Sequence, residues 1–267
     1  MWAYRKLTQG VTRWLTKHRP QEGVPVCDFE ALRHEVRLGD VLLIEGNSRV
    51  SSVIRHLTTS PWSHSALYIG RFYDIESLQM RRMIKSHLLD IPETAQLIVE
   101  GVLGRGIIVS KLSQYEGEHI RICRPKGLSH HDAQLVIGHA ILSLGKKYDV
   151  RHIFDLARLL FPWTFFPRKW GSSLFKSSKE TKSEICSSLI AEAFERVNFP
   201  ILPNIKHKEG AQVVFAHRNS KLYVPADFDY SPFFEIVKYP MVNISSAPTY
   251  RSLPWENKEE DAWVAQP

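Results

Sequence analysis

An α+β fold is predicted from two patterns in the sequence. Short apolar runs bounded by turn residues recur between positions 41 and 123, and read most simply as an antiparallel meander. Apolar residues at helical spacing follow between positions 132 and 197. No stretch has the length of uninterrupted apolar residues that a membrane-spanning helix needs.

The elements can be taken in chain order. Segment 1–26 opens with Tyr4, Leu7, Val11, Trp14 and Leu15 at helical spacing, and Arg5, Lys6, Arg13, Lys17 and Arg19 fill other positions. That pattern is a basic amphipathic helix ended by Pro20, with 21–25 as a linker. Two destinations are open to it, an anionic membrane interface or its own domain. Leu38-Gly39-Asp40 is a turn and Val41-Leu42-Leu43-Ile44 a strand. A short helix over 48–57 puts Val50, Val53, Ile54 and Leu57 on one face, and Ser60-Pro61-Trp62 breaks it. The strand Ser63-His64-Ser65-Ala66-Leu67-Tyr68-Ile69-Gly70 comes next. The stretch 71–96 is longer than a hairpin needs, and Leu78, Arg81, Arg82 and Lys85 suggest a basic helical excursion, either a lid or an insertion. Strands are expected at 97–102, 106–109 and 119–123, and helices at 132–144 (with Leu135, Val136, Ala140 and Ile141) and 150–161. A further helix after Ser183 carries Leu189, Ile190, Ala193, Phe194 and Val197, and a last strand spans 233–237. Residues 27–240 form one domain in this reading, and 241–267, rich in Ser, Pro, Glu, Lys and Asp, form a poorly ordered tail.

Composition narrows the function. The 267 residues, 43% hydrophobic and 24% charged, fit one large globular domain with extensions. A formal charge of +7 favours an anionic partner, membrane surface or nucleic acid. Without a basic cluster or aromatic box of the nucleic-acid type, nucleic acid is not expected. Cys27, Cys123 and Cys186 have no disulfide-framework spacing, which points to a reducing compartment. The first twenty residues lack the apolar core and cleavage site of a secretory signal. The expected location is therefore cytoplasmic, with peripheral attachment to the inner face of the membrane as its extension.

Three residues can carry chemistry. With Ser183 as N-cap, Cys186 falls in the first turn of its helix, where unpaired N–H groups and the positive end of the dipole stabilise a thiolate. The alternative is a small core residue. His64, early in its strand after the Pro-Trp turn, is the best base among the twelve histidines, and parity groups it with Ala66, Tyr68 and Gly70. Glu100 ends an apolar strand, where a carboxylate is either solvated or partnered, and as a partner it would orient an imidazole. His119-x3-Cys123 has no second pair to complete a metal site, and no phosphate-binding glycine loop is present, so neither a metal nor another cofactor is expected.

The order of Leu38-Gly39-Asp40-Val41, the Ser60 to Gly70 motif and Ile185-Cys186-Ser187-Ser188-Leu189 resembles the permuted NlpC-type papain-like cysteine hydrolases, the YiiX/YaeF-like group. The lecithin retinol acyltransferase group is a distant relative. Leu144-Gly145-Lys146-Lys147-Tyr148-Asp149 and Val224-Pro225-Ala226-Asp227-Phe228 with Ser231-Pro232-Phe233 resemble further segments of that family, so the likeness runs from about 38 to 238. It implies a papain-like α+β fold, a small antiparallel sheet with the nucleophile helix packed on it. It also implies Cys186 as nucleophile, His64 as base, Glu100 as the acid and Tyr148 as a supporting residue. The excursion at 71–96 departs from the family pattern.

The expected activity is hydrolysis or acyl transfer through a thioester, on a small-molecule, lipid or peptide substrate. The apolar stretch with Phe154, Leu156, Leu159, Leu160, Phe161, Trp163, Phe165 and Phe166, together with the basic N-terminal helix, leans towards lipid at a membrane surface, core packing being its other explanation. A peptidoglycan-peptide or other amide hydrolase is the alternative, and a non-catalytic membrane-associated module a third. The membrane expectation is tested by liposome co-sedimentation of the full chain and of a chain beginning at Val26. Each basic residue near an anionic surface contributes about 1 kcal/mol, so binding should need anionic lipid, weaken with salt and vanish on truncation.

Overall fold

A computed structural model of the chain describes residues 27–88, 92–146, 186–208 and 212–238. The N-terminal segment, Tyr148, the helix expected at 150–161, the aromatic stretch after it, Ser183 and the C-terminal tail lie outside the described residues.

The strands are β1 (Val41–Glu45), β2 (His64–Arg71), β3 (Gln96–Val102), β4 (Gly106–Lys111), β5 (His119–Pro125), β6 (Asn204–Lys208), β7 (Gln212–Ala216) and β8 (Phe234–Val237). Six of them form a sheet in the order β4-β3-β2-β1-β5-β8, every pairing antiparallel, and β6 and β7 make a separate hairpin. The fold is thus α+β, with an antiparallel sheet at its centre.

The expected meander holds only for the first four strands. The chain does not add β5 beside β4; it turns back through a 3-10 segment, Leu112–Tyr115, and pairs β5 with β1. The physical reason lies in burial. Leu112 is 1% exposed and packs with Leu42, Ile44, Ala66, Ile98, Ile120 and Ile122 on one face of the sheet, while Val41, Leu43, Leu67, Ile69 and Val99 fill the other. A central strand covered on both faces reads as a continuous apolar run, as β1 does, and its second edge needs a partner.

Six helices are described: α1 (Phe29–Glu35), α2 (Arg49–Thr58), α3 (Leu78–His87), α4 (His130–Leu142), α5 (Cys186–Glu195) and α6 (Pro225–Tyr230). Side-chain caps set four starts: Asp28 accepts from Ala31 N, Ser48 from Ser51 N, Ser77 from Met80 N and Ser129 from Asp132 N. Helix α1 covers the Leu42–Ile44 face through Leu32 and Val36. Helices α3, α4 and α5 share the opposite core through Ile84, Val136, Ile137, Ala140, Ile141, Leu189, Ile190 and Phe194. Each side chain of this size fully removed from water contributes about 1.5–3 kcal/mol. The 71–96 excursion therefore packs into the core through α3. Two of the apolar residues that mark these helices in the sequence are largely exposed, Val53 at 42% and Leu135 at 48%. In α4 the buried stripe is Ala133, Val136, Ile137, Ala140 and Ile141, so Leu135 falls on the other side of the helix.

Gly70 fixes the far end of β2. Its φ of +85° lies in the left-handed region, and a Cβ there would sit 2.4 Å from Leu38 Cδ2. Register shifts between Tyr68 and Gly70, which is a bulge against β3. At the same end, Asp40 is 1% exposed and takes Nε and Nη2 of Arg124 at 3.2 and 3.0 Å and the Arg37 N–H at 2.8 Å. Burial raises the Asp40 pKa and Arg124 opposes that shift. Arg124→Met should lower unfolding free energy by about 3–5 kcal/mol in urea titrations at neutral pH. The loss should shrink as acid protonates Asp40, because only the charged form needs the guanidinium.

Candidate active site

His64 opens β2, and Glu100 lies on β3 opposite Ala66. Antiparallel pairing sets both side chains on the face covered by α1, one step apart along the ladder. The His64 Nε2–H donates to Glu100 Oε2 over 2.7 Å, with the histidine side chain 18% exposed and the carboxylate 1%. Gln114 Nε2 donates to Glu100 Oε1 at 2.6 Å, and the Tyr115 hydroxyl donates to Oε2. The Tyr115 ring lies 6.0 Å from the His64 ring. Burial pushes the Glu100 carboxyl up, yet the His64 hydrogen bond and charge, with Ser110 and Tyr115, hold it down to about 2. Glu100 is therefore a fixed negative charge. Burial and that same charge raise the Tyr115 pKa, so its hydroxyl keeps the proton it donates.

The thiol approaches from the other face. Ser65, Leu67 and Ile69 point to the side covered by α5, where Leu189 and Ile190 pack against Leu67 and Ile69. Ser65 Oγ lies 3.4 Å from Ser187 Oγ, and both residues are fully buried. Cys186, at the start of the described helix, is 5% exposed; its Sγ lies 3.9 Å from Ser187 Oγ, and His64 and Ser65 at the beginning of β2 are the groups that act on its charge. With Nε2 held by Glu100, Nδ1 is the ring nitrogen left for the thiol. Burial opposes the thiolate, but the His64 hydrogen bond and charge and both Ser65 contacts bring the Cys186 pKa down to about 7. Burial likewise opposes the imidazolium, and Cys186 and Glu100 together raise the His64 pKa to about 10. The two shifts favour a thiolate–imidazolium pair, which titrates as a unit. Burial raises the pKa values of Cys27 and Cys123.

The structure thus brings Cys186, His64 and Glu100 together. Tyr148 lies outside the described residues. Gln114 and Tyr115 join the site without any sequence signal, since nothing in the stretch between β4 and β5 marks it as returning across the sheet. His119 Nδ1 lies 2.9 Å from Glu45, while Cys123 is fully buried in the core. Among the described residues no three His, Cys, Asp or Glu side chains gather as metal ligands would, and no helix is long and apolar enough to cross a membrane.

No protein-family model matches the chain, and no curated protein does. Among solved structures it is similar to the metalloprotein yiiX from Escherichia coli O157:H7, at 14% identity and a TM-score of 0.46, over 76% of this chain and 97% of that one.

Proposed function

We propose that the chain is a cysteine-nucleophile hydrolase or acyltransferase of the permuted NlpC, papain-like kind, acting through a thioester on a lipid or amide substrate at a membrane surface. The observation that carries the reading is the buried His64–Glu100 hydrogen bond at 2.7 Å beside the buried Cys186, whose thiol pKa His64 lowers against burial. Buried cysteines in inert surroundings shift the other way.

The chemistry follows from the geometry. The Cys186 thiolate attacks the substrate carbonyl carbon, forming a C–S bond and a tetrahedral oxyanion. Collapse expels the amine or alcohol, which takes the proton from the His64 imidazolium, and leaves a thioester. Water or an acceptor hydroxyl then attacks the thioester as His64 removes its proton, the C–S bond breaks and the thiolate returns. Glu100 stays charged throughout, orients the ring and stabilises the imidazolium.

Alkylation with iodoacetamide should be fastest at Cys186 among the three cysteines and should abolish turnover. Its rate should rise with pH through a midpoint near 7. Faster labelling of Cys27 or Cys123, with full turnover by Cys186→Ser, would show that the nucleophile is misassigned. A thiol-directed activity probe followed by lipid and peptide panels then identifies the scissile bond.

His64→Ala should lower kcat by about 10²–10⁴-fold, the range of a lost acid–base group. Glu100→Gln keeps the shape and removes the charge, so the His64 pKa should fall and the alkylation midpoint rise, with a smaller loss of kcat than His64→Ala. Equal losses from the two variants would contradict the supporting role given to Glu100.

A further inference from the structure

We propose that Trp62 is a positioning residue for His64, its indole clamped by Asp229 of α6 and by Arg121 and His119 of β5 so that the turn delivering the histidine keeps one geometry. The inference rests on reading Cys186 and His64 as thiol and base.

Trp62 stands two residues before His64 and is fully buried. Its Nε1–H donates to Asp229 Oδ2 at 3.1 Å. Arg121 Nη1 donates to both Asp229 oxygens at 2.7 Å, and its guanidinium carbon lies 4.6 Å from the centre of the Trp62 ring. The His119 ring is 5.1 Å from the same ring. One carboxylate therefore holds the indole edge and the cation stacked on its face. The residue between Trp62 and His64 is anchored as well: Ser63 N–H donates to Ile44 O at 3.1 Å, and Ser63 Oγ accepts from Gly46 N at 3.0 Å. Ile44 is also the ladder partner of His64. The Ser63 bond to β1 thus fixes where β2 begins, and the indole ties the preceding turn to β5 and α6, while the imidazole itself is bonded to Glu100 of β3.

A tryptophan that only filled the core would affect stability without altering the thiol–imidazole contact. The variants separate the two roles. Trp62→Phe keeps an aromatic ring and loses the N–H, so Cys186 alkylation below neutral pH should slow about tenfold. The midpoint should move up towards the ordinary thiol value of about 8.5. Asp229→Ala should do the same, and Asp229→Asn, which retains an oxygen for the indole, should recover most of the shift. Arg124→Met, destabilised at the opposite end of β1, should keep the midpoint of the unsubstituted protein. Thermal melts run in parallel give the stability change of each variant. If Trp62→Phe lowers the melting temperature and leaves the midpoint in place, or if Arg124→Met moves the midpoint equally, the positioning role is overturned. A missing low-pH thiolate phase in the unsubstituted protein would instead overturn the thiol–base reading itself.

Discussion

Glu100 is a carboxylate with 1% exposure, and a charge so far removed from water persists only where donors surround it. The donors come from two places, His64 at the start of β2 and Gln114 with Tyr115 on the turn after β4, and Ser110 on β4 also favours the charged form. Bringing them to one point requires the chain to leave the meander after β4 and cross back over the sheet. The same crossing buries Leu112 and delivers β5 to the free edge of β1. Electrostatic demand at one carboxylate and hydrophobic demand at one strand edge are met by a single turn.

The sheet separates the two halves of the site. Glu100 and its donors belong to the face under α1, and α5 packs on the opposite face. Only at the first residues of β2 can a side chain be reached from both, which is where His64 meets Cys186. Among the described residues the imidazole is hydrogen-bonded to the carboxylate and is the largest favourable influence on the thiol. Its raised pKa and the lowered pKa of the thiol are two expressions of that placement.

Periodicity made much of this legible. The run 41–44, the 63–70 strand and the Leu189, Ile190, Ala193 and Phe194 spacing each correspond to an element of the fold, and a carboxylate in the apolar strand 97–102 was conspicuous for lacking an obvious partner. What escaped depends on distant pairings. β5 could not be assigned to β1 because strand patterns carry no address. Gln114, Tyr115 and Asp229 stand in no periodic pattern that marks them as partners of a distant side chain. Helix α4 is apolar on more than one side, so the buried stripe could not be chosen until the sheet was known. The hairpin of β6 and β7 has its cross-strand pair Ile205 and Phe215 exposed at 63% and 58%, and gave no alternating pattern to read. Helix α1 is short and buries only Leu32 among its residues, too little apolar spacing to stand out from the charged residues around it.

The register of β8 against β5 has a consequence for biosynthesis. Phe234 pairs with Pro125 and Val237 with Ile122, so the sheet's outer edge closes only after more than a hundred further residues have been added. The pairings among the other five strands of that sheet involve no residue beyond position 125. During translation the histidine and its carboxylate are made before the cysteine and before Asp229, the anchor of the Trp62 indole. Neither the indole clamp nor the approach of the Cys186 thiol to His64 can form until that later part of the chain has docked on the sheet.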